Sequence, residues 1–232
     1  MTSTPLRRVC IGLSGLCIVT AGAYAEDEPA TSGGLDANPE AAEHVDARSQ
    51  QAEPEGMDAD AEARVDALWH AAAEGNLERF GRLLAEGVDI DARQPETFTT
   101  ALWIAAQEGH TELVQILLQL GSDVEAKDPA DGRTALFQAA QGGHAEIVEL
   151  LLAHGAEVEV TSARTGATPL FIASARGHAD VVRLLLAANA KVDVAARAEG
   201  RVDTPLGIAK ERQHVAVIAL LEAAMATSFD AH

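Results

Sequence analysis

The chain has 232 residues, of which 47% are apolar and only 3% aromatic, and it carries a net charge of −19. That length is a prior for one or two domains, and the negative charge would repel nucleic-acid phosphates and anionic lipid. Binding to DNA, RNA or a membrane surface is therefore set aside.

The chain opens with "MTSTPLRRVCIGLSGLCIVTAGAYA". Arg7 and Arg8 form a basic start, residues 9–21 an apolar run, and Ala23-Tyr24-Ala25 a small-residue close. These are the parts of a secretory signal peptide, with cleavage expected after Ala25. The apolar run falls short of the roughly 20 residues a membrane span needs, so no membrane insertion is expected after cleavage. The mature protein is expected in the periplasm or outside the cell; whether general or twin-arginine export carries it stays open. Both cysteines, Cys10 and Cys17, lie in the leader. The mature chain then relies on packing without disulfides and has no thiol nucleophile or sulfur ligand.

Residues 26–62 hold 12 acidic side chains against one basic, Arg48, and no aromatic residue. Such a segment cannot bury enough apolar surface to offset its ordering entropy, and it reads as a disordered acidic tether.

From residue 66 onward the sequence repeats. Leu68, Leu102, Leu136 and Leu170 recur every 34 residues, and Leu206 follows after 36. Asn76, His110, His144, His178 and His214 keep the same intervals, as do Gly87, Gly121, Gly155 and Asn189 as far as they run. The repeats are placed at 66–99, 100–133, 134–167 and 168–203, with a C-terminal cap at 204–232.

Each copy reads as two short helices. Thr100, Thr134, Thr168 and Thr204 stand where an N-cap hydroxyl can accept from an orphan N–H, and Pro169 and Pro205 follow at the first helical position. Gly-His pairs break the first helix at 109–110, 143–144 and 177–178. Glu78, Glu112, Glu146 and Asp180 then face the positive end of the second helix. Its apolar residues, such as Val114, Leu117 and Leu118, keep a helical period. Gly87, Gly121, Gly155 and Asn189 supply the left-handed C-cap. Pairs this short cannot bury their apolar faces alone, and stacking them builds the core.

The stretch "TPLFIASARGHADVVRLLLAANAKVDV" resembles the ankyrin repeat, and the likeness covers residues 66–225. The resemblance implies an all-α solenoid with β-turn fingers along one edge, which recognises proteins through its fingers and concave surface. The chain departs from the pattern where the family places a histidine that ties neighbouring fingers: here stand Trp69, Trp103, Phe137, Phe171 and Gly207. An aromatic ladder is expected to replace those bonds by packing.

The repeated histidines, His110, His144, His178 and His214, recur at about one helix-packing distance, roughly 8–10 Å, too far apart for one metal shell. They read as turn histidines that cap the second helix and bond a neighbour's backbone; His70 and His154 stand outside the register. No nucleophile elbow or phosphate-binding glycine loop is present. No catalytic residue, metal site or cofactor is expected.

The varying positions point elsewhere. The fingers carry Arg93, Glu96, Phe98, Lys127, Asp131, Arg133, Arg164, Arg197 and Arg201, and the adjoining first-helix positions include Gln107, Glu108, Gln141 and Arg176. Guanidinium groups and exposed aromatics are favoured interface anchors. These thirteen residues form the expected surface for a protein partner with an acidic patch, the chain itself acting as a monomer. A helper or scaffold for a periplasmic protein is the first reading, an immunity-type inhibitor of a toxin or enzyme the second, and a hydrolase or metal enzyme the least favoured.

Overall fold

The computed structural model describes residues 8–10, 17–19, 59–198 and 201–229. The chain divides into two compact units, Met1–Met57 and Asp58–His232. In the first, strands β1 (Arg8–Cys10) and β2 (Cys17–Val19) pair antiparallel, with Arg8 opposite Val19. The expected cleavage point after Ala25 and residues 26–58 of the acidic segment lie outside the described residues.

The second unit is a stack of helix pairs: α1 (Ala59–Ala73) with α2 (Leu77–Ala85), α3 (Ala101–Glu108) with α4 (Thr111–Leu120), and α5 (Ala135–Gly142) with α6 (Ala145–Ala153). Then come α7 (Pro169–Arg176) with α8 (Ala179–Ala187), and α9 (Pro205–Glu211) with α10 (Val215–Phe229). Helix α1 starts at Ala59, inside the segment expected to be a tether. Asp60 and Glu62 in its first turn suit a helix N-terminus. Among the described residues no helix is long and apolar enough to cross a membrane.

Cap chemistry explains the helix starts. The hydroxyls of Thr100, Thr168 and Thr204 accept from the N–H of Trp103 (3.3 Å), Phe171 (3.2 Å) and Gly207 (3.1 Å). Thr134 is the exception. Its carbonyl opens α5 by accepting from Gln138 N–H at 3.2 Å, but its buried hydroxyl bonds nothing. Asn76 caps α2 by accepting from Arg79 N–H at 3.0 Å.

First helices stack in one layer, α1 through α9, and α4, α6, α8 and α10 form the second. Register-equivalent side chains fill the space between. Leu68, Leu102, Leu136 and Leu170 are at most 1% exposed, and Leu117, Leu151, Leu185 and Leu221 are fully buried. Each such side chain stabilises the fold by about 1.5–3 kcal/mol. Ala71-Ala72, Ala105-Ala106 and Ala139-Ala140 are fully buried where first helices meet, because a larger side chain would push the layers apart.

The histidines join consecutive repeats. His110 Nε2 lies 2.8 Å from the Ala73 carbonyl, His144 3.1 Å from that of Gln107, His178 3.1 Å from that of Gln141, and His214 3.1 Å from that of Ala175. The expected bond to a neighbour's backbone is made, but His110, His144 and His178 do not cap their own helices with the ring. Each ring lies against a turn glycine of the preceding repeat. A Cβ on Gly109 (φ +82°) would stand 2.5 Å from His144 Cε1, so both the backbone angle and the close approach require glycine.

Candidate functional site: the finger edge

Each of the first three fingers is closed by one polar residue at its base. Gln94, Asp128 and Ser162 stand 34 residues apart and are buried. Their N–H groups donate to the carbonyls of Thr99 (3.0 Å), Arg133 (3.0 Å) and Ala167 (2.9 Å). Their side chains accept from the tip. Gln94 Oε1 takes the N–H of Glu96 and Thr97, and Asp128 takes those of Asp131 and Arg133. Ser162 Oγ takes the N–H of Thr165 at 3.3 Å. Fixed spacing and acceptor-bearing side chains are the signals in the sequence that mark these three, which residue type alone did not single out.

Neighbouring fingers are tied by hydrogen bonds, a correction to the expectation that aromatic packing replaces them. Ala163 N–H donates to the Asp131 carbonyl at 2.7 Å, and Arg197 N–H to the Thr165 carbonyl at 2.8 Å. The equivalent donor in the second finger is missing because the residue there is Pro129. Arg93 takes over: its Nη1 donates to the carbonyls of Phe98 (2.8 Å) and Lys127 (2.9 Å), linking first finger to second. The aromatic residues do pack beneath. Phe137 and Phe171 are 3% exposed, Trp69 and Trp103 half-buried, and Trp69 Nε1 donates to Thr99 Oγ1 at 2.9 Å.

Asp131 is the centre of this network and not a surface group. It is 3% exposed. It accepts from Ser162 Oγ (2.8 Å), Arg164 N–H (2.8 Å) and Arg133 Nε (2.7 Å). Burial alone would raise its pKa; the bonds from Arg164, Ser162 and Arg133 outweigh that and hold it below the ordinary carboxylate value. Arg133, with its guanidinium over Phe137 at 5.5 Å, is likewise an internal strut.

At the base of the fingers a second ladder links repeats. Carboxylates of Asp91, Glu125 and Glu159 accept from the N–H of Asp123 (3.0 Å), Glu157 (2.8 Å) and Lys191 (2.8 Å). Burial, with Asp89 and Asp123 nearby, raises the Asp91 pKa against the lowering effect of its backbone bond.

The other expected contact residues reach solvent to different degrees. Lys127, Arg197 and Arg176 are exposed and have no ion pair among the described residues. Arg164 is exposed, with Nε 3.6 Å from Asp131. Arg201 pairs with Glu211. Glu96 and Glu108 are exposed; Gln107 is half-buried with Nε2 3.0 Å from Glu108, and Gln141 is half-buried with its carbonyl taken by His178. Among the described residues no group of three or more His, Cys, Asp or Glu could hold a metal ion.

Phe98 stands apart. It is 53% exposed and its backbone lies at φ +55°. The register-equivalent residues of the next two fingers are Gly132 (φ +69°) and Gly166 (φ +70°). A side chain in that region costs about 1–2 kcal/mol. Arg93 on its carbonyl, its own N–H donating to the Gln94 carbonyl at 2.8 Å, and the filled Gln94 side chain hold it there.

Helix pairs stacked on one interior, with tied hairpin-like fingers along one edge, define an α-solenoid of the kind that serves as a protein-binding scaffold. The family model for ankyrin repeats, three copies long, matches residues 49–128, 68–162 and 102–198. The chain belongs to the ankyrin-repeat family, whose members are general protein–protein interaction modules. No curated protein is similar enough to the chain to count as a match.

Proposed function

We propose that the protein is an exported, non-enzymatic module that captures a periplasmic protein with its finger edge, as a helper or scaffold. Phe98 carries this reading. A bulky residue kept in a glycine-favouring conformation, with its ring in solvent, is strain that packing does not repay, and such strain collects at functional positions. The hydrogen-bonded fingers are ordered before binding, which lowers the entropic cost of association. Lys127, Arg164 and Arg197 supply exposed positive charge along the fingers that follow, the reason for assigning the partner an acidic patch. The leader ending at Ala25 and the acidic residues 26–58 ahead of α1 support export and a tether.

Affinity capture from the cell envelope with the full chain as bait tests the reading. Phe98→Gly is expected to unfold at the same or a higher temperature than wild type while binding the captured partner at least about tenfold more weakly. Equal binding by Phe98→Gly would remove the ring from the interface. The triple charge reversal Lys127→Glu, Arg164→Glu, Arg197→Glu is expected to weaken binding and flatten its salt dependence; unchanged affinity would remove the acidic patch. A partner whose own activity is blocked one-to-one would move the role to immunity-type inhibition.

A further inference from the structure

The last finger differs from the three before it. It is a regular hairpin of β3 (Ala196–Ala198) and β4 (Arg201–Asp203), with Arg197 opposite Val202 and Ala196 opposite Asp203. Arg197 N–H points out of this hairpin, to the Thr165 carbonyl. In an antiparallel ladder two directly opposite residues turn their backbone groups the same way, both toward each other or both away. Val202 therefore also turns its N–H and C=O outward, on the side where no further finger follows among the described residues. Among the described residues nothing bonds to them, and Val202 is 66% exposed. An unpaired edge with an exposed β-branched residue is a template for another strand.

Two observations select the strand that fits. First, the sequence of β4 is complementary to itself. About a two-fold axis through Val202, a second β4 running antiparallel sets Val202 opposite Val202, exchanging both N–H to C=O bonds. The same register sets Arg201 opposite Asp203 twice, a favourable cross-strand charge pair. Arg201 holds Glu211 and Asp203 accepts from Thr204 N–H at 2.8 Å, each in its own chain, while the Arg201 side chain stays 58% exposed. Second, the opposite end of the finger row offers β4 no donor. The residue there in register with Arg197 is Pro95, which has no N–H to donate. Ala195 stands in register with Arg93 and cannot stand in for a missing N–H as Arg93 does beside Pro129. Head-to-tail stacking thus lacks its donor, and the two-fold arrangement keeps both of its bonds.

We propose that a second copy of this chain pairs with β4, giving a two-fold dimer with a four-stranded sheet ordered β3, β4, β4, β3. This replaces the monomer expected from sequence and does not depend on what the fingers bind. One strand pair buries less than the roughly 1,200 Å² of a standard interface, so the dimer is weak and reversible. It brings two finger rows into one particle, which would raise the avidity for a partner with two sites.

Sedimentation equilibrium on the full chain tests the proposal. Wild type is expected to show a monomer–dimer equilibrium below about 1 mM. Val202→Pro removes the outward N–H and leaves the hairpin's own bonds in place. Val202→Lys puts a charge on the edge and stands in should the proline disturb folding. Both are expected to weaken the dimer at least about tenfold with an unchanged unfolding temperature. A wild type that stays monomeric to about 1 mM, or variants that dimerise as strongly as wild type, would overturn the proposal.

Discussion

Replacing Asp131 with alanine is expected to destabilise the solenoid by about 3–5 kcal/mol, because the partners of a buried charge are left without it. Three donors lose their acceptor: Ser162 Oγ, the N–H of Arg164 and Nε of Arg133. Arg133, 23% exposed at its side chain, is left with a mostly covered guanidinium. Asp131→Asn keeps part of the network and is expected to lose about half as much. The same residue sets a pH dependence. Its pKa is lowered in the folded state, so as pH falls the unfolded chain takes up the proton first. The carboxylate's contribution is therefore complete above the ordinary carboxylate range and disappears as pH drops through the folded value. Urea unfolding should show a constant gap between wild type and Asp131→Asn from neutral pH to about 5, closing only below about 4. A gap that closes between pH 7 and 5 would show that the charge on Asp131 is not what the fingers use.

The second large effect is expected at Gly109. Alanine there carries two costs: the left-handed backbone, about 1–2 kcal/mol, and a Cβ pressed against the His144 ring. Moving that ring breaks its bond to the Gln107 carbonyl, worth about 1 kcal/mol more. Gly121→Ala separates the two costs, since Gly121 has φ +87° and nothing within 4 Å of a built Cβ. Thermal unfolding should therefore place Gly109→Ala clearly below Gly121→Ala. Equal losses would mean that the histidine ladder does not couple repeats.

The solenoid was legible in the sequence because cap chemistry and hydrophobic period depend on residues a few positions apart. Leu102, Thr100 and Gly121 state their roles within a single repeat. Thr134 shows the limit: the same residue at the same position turns its hydroxyl away and caps nothing. The binding edge was less legible, since its order arises between residues 31–34 apart whose loops must first be brought side by side. Asp131 and Arg133 look like ordinary loop charges until the third finger covers them with Ser162 and Arg164. Arg93 looks like a free cation, yet the missing N–H of Pro129 gives it a structural duty. The contrast of Phe98 with Gly132 and Gly166 was available in the 34-residue register, and a comparison of tip positions would have found its backbone constraint. Val202 carried no such signal, because its outward backbone groups follow from strand pairing alone.

The central claim is that the finger edge, and not the outer face of the second helices, meets the partner. Hydrogen exchange on the full chain, alone and in complex with the captured protein, measures this directly. Slowed exchange is predicted around residues 93–99, 127–133 and 161–166, with α4, α6 and α8 unchanged. Protection confined to those second helices, near Glu112, Glu149 and Arg183, with the fingers exchanging as freely as before, would contradict it.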